Sequence, residues 1–372
     1  MTTSRGYTHG GDVERVARQT DIRIEQLLDF SANVNPMGLP ARAAERLARD
    51  ARDPRLLSRY PSPEAPELRS LLSEQLRVPI ECIVIGAGAD TLIHAAVRAM
   101  NPRTCLIPIP AFCEYERACR ACGCSTRPIP LAAGFALDRQ SLGLSGPGDL
   151  VILNNPHNPT GACMSRAEML ELVANVRSSG AAVLVDEAFI DYAPGAAITR
   201  EASAEPGVVA IRSLTKFFGC AGLRVGYAVA AVETARVLAA QLPAWPVTIL
   251  ALNALSEALR DGDYVRESLA RNEAARSSLS AALRRLGCHV FPSAANFLFL
   301  RLPDGVPAAE VREQLIRGHA ILVRECDSFE GIERGRYLRV AVRLEDENAR
   351  LIEGLASVLR GLSCHQNCAL KP

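Results

Sequence analysis

The sequence predicts an α/β fold: a large domain with a mostly parallel sheet covered by helices, joined to a smaller α+β domain. Three observations predict it. From about Ala65 onward, short apolar β-rich runs alternate with segments of helical periodicity, and strands that alternate with helices need right-handed crossovers and a sheet buried on both faces. After Pro246 the rhythm changes to long helical stretches, and beyond these lies a second, separate set of strands and helices.

Taken in order, the first 45 residues lack a strand and helix rhythm long enough for an independent domain. They are assigned with the C-terminal segment to the small domain, as an N-terminal arm. The large domain is predicted over 46–262. Its runs are ECIVI followed by ADTLIHAAVRAM, TCLIPI followed by FCEYERACRAC, DLVIL followed by a helix opening at Ser165, then AAVLV, GVVAI and VGYAVA. Ser165 and Glu168 have the spacing of a capping box, which starts the helix crossing from DLVIL to AAVLV. Roughly Val247 to Leu286 reads as long helices bridging the domains. The small domain, 263–361, holds NFLFLRL, a helix from about Ala308, AILVRE, YLRVAVR and a terminal helix from about Asp346. Residues 362–372 read as a disordered tail.

Composition narrows the function classes. With 372 residues, 48% of them apolar, the chain can bury a sizeable core. A formal net charge of +1, with basic residues spread along the chain, writes no surface for nucleic acid or anionic membrane. No run approaches the roughly 18 apolar residues of a spanning helix, and the N-terminus has no apolar core of signal-peptide length. The expectation is a cytoplasmic protein with a small-molecule partner. Its twelve cysteines are scattered and read as reduced, mostly buried small hydrophobes. Cys119, Cys122 and Cys124 are explained by packing where a helix ends at Gly123. Cys364, His365 and Cys368 fall short of a closed four-ligand site, so no metal is expected.

The chemistry is sought in the loops after strands, where ligands sit in α/β sheets. Gly86 to Asp90 is a glycine-rich turn opening a helix, whose free N–H groups suit an anion. Asn154 to Gly161 is too rich in turn formers to be helix or strand. Asp186 places a carboxylate at the end of an apolar strand. The next loop holds Ser213 and Lys216. Only two lysines, Lys216 and Lys371, occur among 42 basic residues, and lysine can do what arginine cannot: lose its proton and form an imine with an aldehyde. Each signal has a plain structural alternative in turns, caps or surface charge. Together they describe a site for pyridoxal 5'-phosphate: an anion cradle at Gly88 to Asp90, a hydroxyl and a guanidinium beside the lysine (Ser213, Arg224), a carboxylate for a ring nitrogen and an amide for a ring oxygen.

With HNPTG, DEAF and SLTKFFGCAGLRVGY at these spacings, nearly the whole chain resembles the fold type I pyridoxal-phosphate enzymes, the aspartate aminotransferase superfamily. The resemblance implies that Lys216 carries the cofactor and Asp186 pairs with its ring nitrogen. Asn158 would bond the ring oxygen and Phe112 would stack on the ring. Gly88, Ala89, Asp90, Ser213 and Arg224 would hold the cofactor phosphate, joined by Tyr60 from the other subunit of a homodimer. Arg339 would grip the substrate carboxylate. Many of these enzymes have tyrosine where this chain has Phe189, which leaves the ring oxygen with Asn158 alone and implies a lysine–cofactor bond that titrates differently. RYPSPEAPELR and ILVRE resemble the histidinol-phosphate aminotransferases, in which Arg324 would bind a substrate phosphate. HGG at His9 to Gly11, LLDFSANVNPMGLP, PAFCEYERA and DEAFIDY more closely resemble the L-threonine-O-3-phosphate decarboxylases of cobalamin synthesis. That resemblance implies a small phosphorylated amino-acid substrate held by His9, Gly10, Asn33 and Arg324. A ligand-sensing domain of a transcription regulator is disfavoured, because no helix-turn-helix pattern precedes the fold.

Overall fold

The computed structural model describes residues 10–137 and 142–369. Thirteen strands occur among them. In chain order they are β1 (Leu28–Asp29), β2 (Ile83–Gly86), β3 (Thr104–Ile109), β4 (Ser125–Pro130), β5 (Asp149–Asn154), β6 (Ala182–Asp186), β7 (Val208–Ser213) and β8 (Gly226–Ala230), then β9 (His289–Val290), β10 (Phe297–Arg301), β11 (Ile321–Leu322), β12 (Arg324–Glu325) and β13 (Tyr337–Ala341).

The large sheet has the order β2-β8-β7-β6-β5-β3-β4. The five strands from β7 to β4 run parallel, and β8 is antiparallel to both of its neighbours. Strands such as Val183 to Val185 and Val208 to Ile211 are buried along their length, as a sheet covered on both faces requires. The capping box forms: Glu168 donates its backbone N–H to the Ser165 hydroxyl at 3.3 Å, and Ser165 N–H reaches the Glu168 carboxylate at 2.8 Å. β4 is absent from the sequence expectation because Pro128 and Pro130 interrupt its pattern. It sits at the sheet edge, where missing N–H donors cost no ladder bond.

The small sheet has the order β12-β13-β10-β9 and is antiparallel. AILVRE, read as one strand, divides at Val323. Its first half pairs in parallel with β1, its second with β13. Leu28 and Phe30 of the arm share a hydrophobic core with Leu300, Val311, Val340 and Leu355, whereas Ala43 already belongs to the core of the large sheet. The long helical stretch is two helices, Ile249–Leu259 and Gly262–Arg285. They part where Asp261 accepts the Tyr264 N–H at 2.9 Å and caps the second. The last helix runs Glu345–Ala369, so the backbone of most of the segment read as a disordered tail continues it. No Pro or Gly interrupts SCHQNCAL to stop it. The side chains of Cys364, His365 and Cys368 lie outside the described residues. No described helix is long and apolar enough to cross a membrane.

Candidate active site

Parallel strands deliver their following loops to one edge of the sheet, and there the structure has a cavity of about 640 Å³. Lys216 lines it, on the single turn Leu214–Phe217 that follows β7. Burial lowers the pKa of its amine to about 8, helped by the positive charges of Arg339 and Arg224. About a tenth of it is then neutral at pH 7, far more than for a solvated lysine.

Across from the lysine, Asp186 ends β6 with 4% of its surface exposed. Its Oδ1 accepts the Ala188 N–H at 2.9 Å and its Oδ2 accepts the Tyr115 hydroxyl at 2.6 Å. Burial raises the Asp186 pKa, and these two donors oppose the rise. Glu187 turns away, taking the Ile198 N–H at 2.6 Å and the Thr199 hydroxyl, and so anchors the loop. The adjacent β5 ends in Asn154, whose amide donates to the Asp186 carbonyl at 2.8 Å and accepts the Asn158 N–H at 2.7 Å. This places Asn158 in the cavity, where its side-chain oxygen accepts from Arg339.

The glycine turn opens the helix Ala89–Met100. Gly88 has φ +89°, and a Cβ there would meet Asp90 Oδ1 at 2.6 Å and Arg224 Nη2 at 2.7 Å. Arg224 pairs with Asp90 at 2.6 Å over the helix N-terminus, and Ala89, Asp90, Ser213 and Arg224 all line the cavity. The first N–H groups of the helix have no partner within it. Phe112 caps the helix Cys113–Cys122 from the cavity wall and meets Tyr115 edge-on at 5.7 Å between centroids.

The small domain and the arm supply the other wall. Arg324 and Arg339 face each other in register on β12 and β13, at 7% and 6% exposure. Arg339 donates to the Ser31 carbonyl at 2.9 Å and lies over the Phe297 ring. Arg324 bonds the Ser328 hydroxyl and lies over Phe329. Burial lowers the pKa of Arg339 to about 10, which leaves it charged at neutral pH. Asn33 and Gly10 line the same space. Gly10 lies flat on Ser31, whose carbonyl oxygen is 2.1 Å from where a Cβ would stand, and Gly11 N–H donates to the Ser31 hydroxyl at 2.8 Å. His9 lies outside the described residues. Tyr60 is not in the cavity of its own chain: it is 76% exposed and stacks on Trp245 at 4.4 Å.

Two contributors went unread in the sequence. Tyr115 looked like one position of a helical stripe, and only the packing of its helix across the sheet brings its hydroxyl to Asp186. Asn35, two residues beyond Asn33, donates its N–H to the Lys216 carbonyl at 2.9 Å and its amide to the Phe217 carbonyl at 2.8 Å, tying the arm to the lysine turn.

The donor set fits pyridoxal phosphate. A helix N-terminus with Ser213 and Arg224 suits a dianion, a buried carboxylate suits a protonated ring nitrogen, and a lysine with a lowered pKa suits an aldehyde. Among the described residues, Asn33 Oδ1 and Arg339 Nε are buried without a hydrogen-bond partner, two polar atoms in side chains that line the cavity.

A cavity lined by a buried lysine of lowered pKa, a glycine-rich helix N-terminus and a buried acid fits a cofactor-dependent enzyme of amino compounds. The chain belongs to the aminotransferase class I and II family, whose model matches residues 25–355, and it is a pyridoxal-phosphate enzyme. It is 34% identical to the threonine-phosphate decarboxylase of Salmonella typhimurium strain LT2, over 95% of this chain and 97% of that protein. It is 32% identical to histidinol-phosphate aminotransferase 2 of Pseudomonas fluorescens strain Pf-5, over 95% and 94%. The crystal structure of L-threonine-O-3-phosphate decarboxylase from Porphyromonas gingivalis superposes with a TM-score of 0.78 at 26% identity, covering 89% of this chain and 99% of that one.

Proposed function

We propose that this enzyme decarboxylates O-phospho-L-threonine to (R)-1-amino-2-propanol O-2-phosphate, the step that serves cobalamin synthesis, as a cytoplasmic homodimer. The observation that carries the reading is the registered pair Arg324 and Arg339, both buried and both lining the cavity that holds Lys216. Two cationic forks beside one amine fit a substrate with an amino group and two anionic groups. The similarity to the Salmonella decarboxylase supports the same reading.

Pyridoxal phosphate, when bound, supplies an aldehyde that takes up a primary amine and a ring that withdraws electrons from bonds to the carbon bearing that amine. Ala89, Asp90, Ser213 and Arg224 would hold its phosphate, Asp186 would pair with its ring nitrogen, and Asn158 and Phe112 would flank its ring. Arg339 takes the substrate carboxylate in a bidentate fork. Arg324, with Asn33, Gly10 and His9, would take the substrate phosphate and so fix the orientation of the substrate about its α-carbon. Lys216, in its ammonium form, whose pKa burial lowers to about 8, returns a proton to the α-carbon and is left as the neutral amine. The balance is one carboxylate and one proton consumed for one carbon dioxide and one new C–H bond.

Incubating the pure enzyme and pyridoxal phosphate with O-phospho-L-threonine, without any keto acid, is expected to release carbon dioxide in stoichiometric amount. The similarity to histidinol-phosphate aminotransferase 2 favours a second reading, transamination. Consumption of histidinol phosphate only when 2-oxoglutarate is present, with no carbon dioxide from phosphothreonine, would replace the first reading by that one.

A further inference from the structure

At the end of the large sheet away from the cavity, three sulfurs converge. Cys105 is the second residue of β3, Cys119 lies in the last turns of the helix Cys113–Cys122, and Cys124 follows the Gly123 that ends that helix. Their Sγ atoms all lie within 4.8 Å of one another, and Cys105 and Cys124 are 3.7 Å apart. The sequence grouped Cys122 with Cys119 and Cys124, but β3 brings Cys105 into the cluster in its place.

We propose that Cys105, Cys119 and Cys124 form a three-sulfur site for one soft metal ion of the zinc or copper(I) class. A metal–sulfur bond of about 2.3 Å sets ligand sulfurs about 3.8 Å apart in tetrahedral and about 4.0 Å apart in trigonal geometry. The Cys105–Cys124 pair, at 3.7 Å, already stands near that spacing, and the third sulfur lies within 4.8 Å of both. The set contains sulfur alone, without imidazole or carboxylate, which selects soft ions over calcium or magnesium. Cys105 and Cys119 are fully buried and Cys124 is half-buried, so Cys124 gives the route of entry. The cluster also sits at a helix C-terminus, whose partial negative charge favours a cation and disfavours bare thiolates. The Cys124 thiol itself donates to the Cys119 carbonyl at 3.3 Å. A divalent ion entering the site replaces three protons, and its binding weakens as pH falls.

The consequence is a brace. The helix between the two ends carries Phe112 at the cavity and Tyr115 against Asp186, and a metal at its far end would pin it to β3.

The test is a titration of the cofactor-loaded enzyme with cadmium, read by the sulfur-to-cadmium charge-transfer band in the ultraviolet. One equivalent is expected to bind and to raise Tm. In Cys124→Ser its affinity should fall on the order of 100-fold, while Cys163→Ser, a half-buried thiol elsewhere, changes nothing and decarboxylation is unaffected in both. Protection of Cys124 from alkylation in the unaltered protein, located by peptide mass, gives a reading that needs no variant to fold. No band, a band unchanged in Cys124→Ser, absence of protection, or a Cys105–Cys124 disulfide in protein isolated without reductant would each overturn the proposal.

Discussion

At the scale of single residues, the site depends on groups held away from their ordinary protonation. Lys216 titrates near 8 because burial, and the charges of Arg339 and Arg224, disfavour its ammonium form. Only the neutral amine attacks an aldehyde. The rate at which apoenzyme takes up pyridoxal phosphate should therefore rise about tenfold per pH unit below 8 and level off above it, as followed by the visible absorbance of the lysine-bound cofactor. Lys216→Ala should show no such absorbance. Burial raises the pKa of Asp186, and the Tyr115 hydroxyl opposes that rise. Removing that donor in Tyr115→Phe raises the Asp186 pKa further, so the acid limb of kcat/KM should move to higher pH. An acid limb that stays in place would mean that Tyr115 only fills space. Lys216 was legible because lysine is rare in this chain and here follows an apolar strand, and Asp186 because it ends one. Tyr115 was not, because a tyrosine in a helical stripe looks like core until the partner across the sheet is known.

At the scale of elements, the anion cradle depends on a backbone conformation. Gly88 has φ +89° and ψ 162°, a region that is essentially closed to other residues and costs about 1–3 kcal/mol to occupy. A Cβ there would also push on the Arg224–Asp90 pair. Gly88→Ala should weaken cofactor binding by about 10- to 100-fold, measured by equilibrium dialysis, with Lys216 still reactive towards saturating cofactor. An unchanged affinity would remove the turn from the phosphate site. The capping box at Ser165 was read correctly because its signal is local. AILVRE was read as one strand because nothing local marks Val323 as the point where the chain leaves one sheet for another. β4 was missed for a related reason: its prolines are tolerated only because it lies at an edge, and edge position belongs to the assembled sheet.

At the scale of the whole molecule, Tyr60 is the residue that a single chain leaves unexplained. It stacks on Trp245 at the surface and is 76% exposed, as expected of a group that completes a neighbour's site. If it does, mixing Lys216→Ala with Tyr60→Ala subunits after dissociation should restore roughly a quarter of wild-type turnover, because half of the dimers then contain one intact site. No restoration, or a fully active monomer in sedimentation, would refute the shared site. The amino-acid sequence by itself determined the alternation of strand and helix, and it set out the rare lysine and the polar loops that follow the strands. Those follow from periodicity, from turn formers and from the chemistry of single side chains, all of which are written locally. Tertiary structure alone decided that Arg324 and Arg339 stand in register across a buried ladder, that Tyr115 reaches Asp186, that Asn35 ties the arm to the lysine turn, and that Cys105 rather than Cys122 joins Cys119 and Cys124. Each of these is a contact between distant parts of the chain, and such contacts are set by how sheets and helices pack, which no stretch of neighbouring residues encodes.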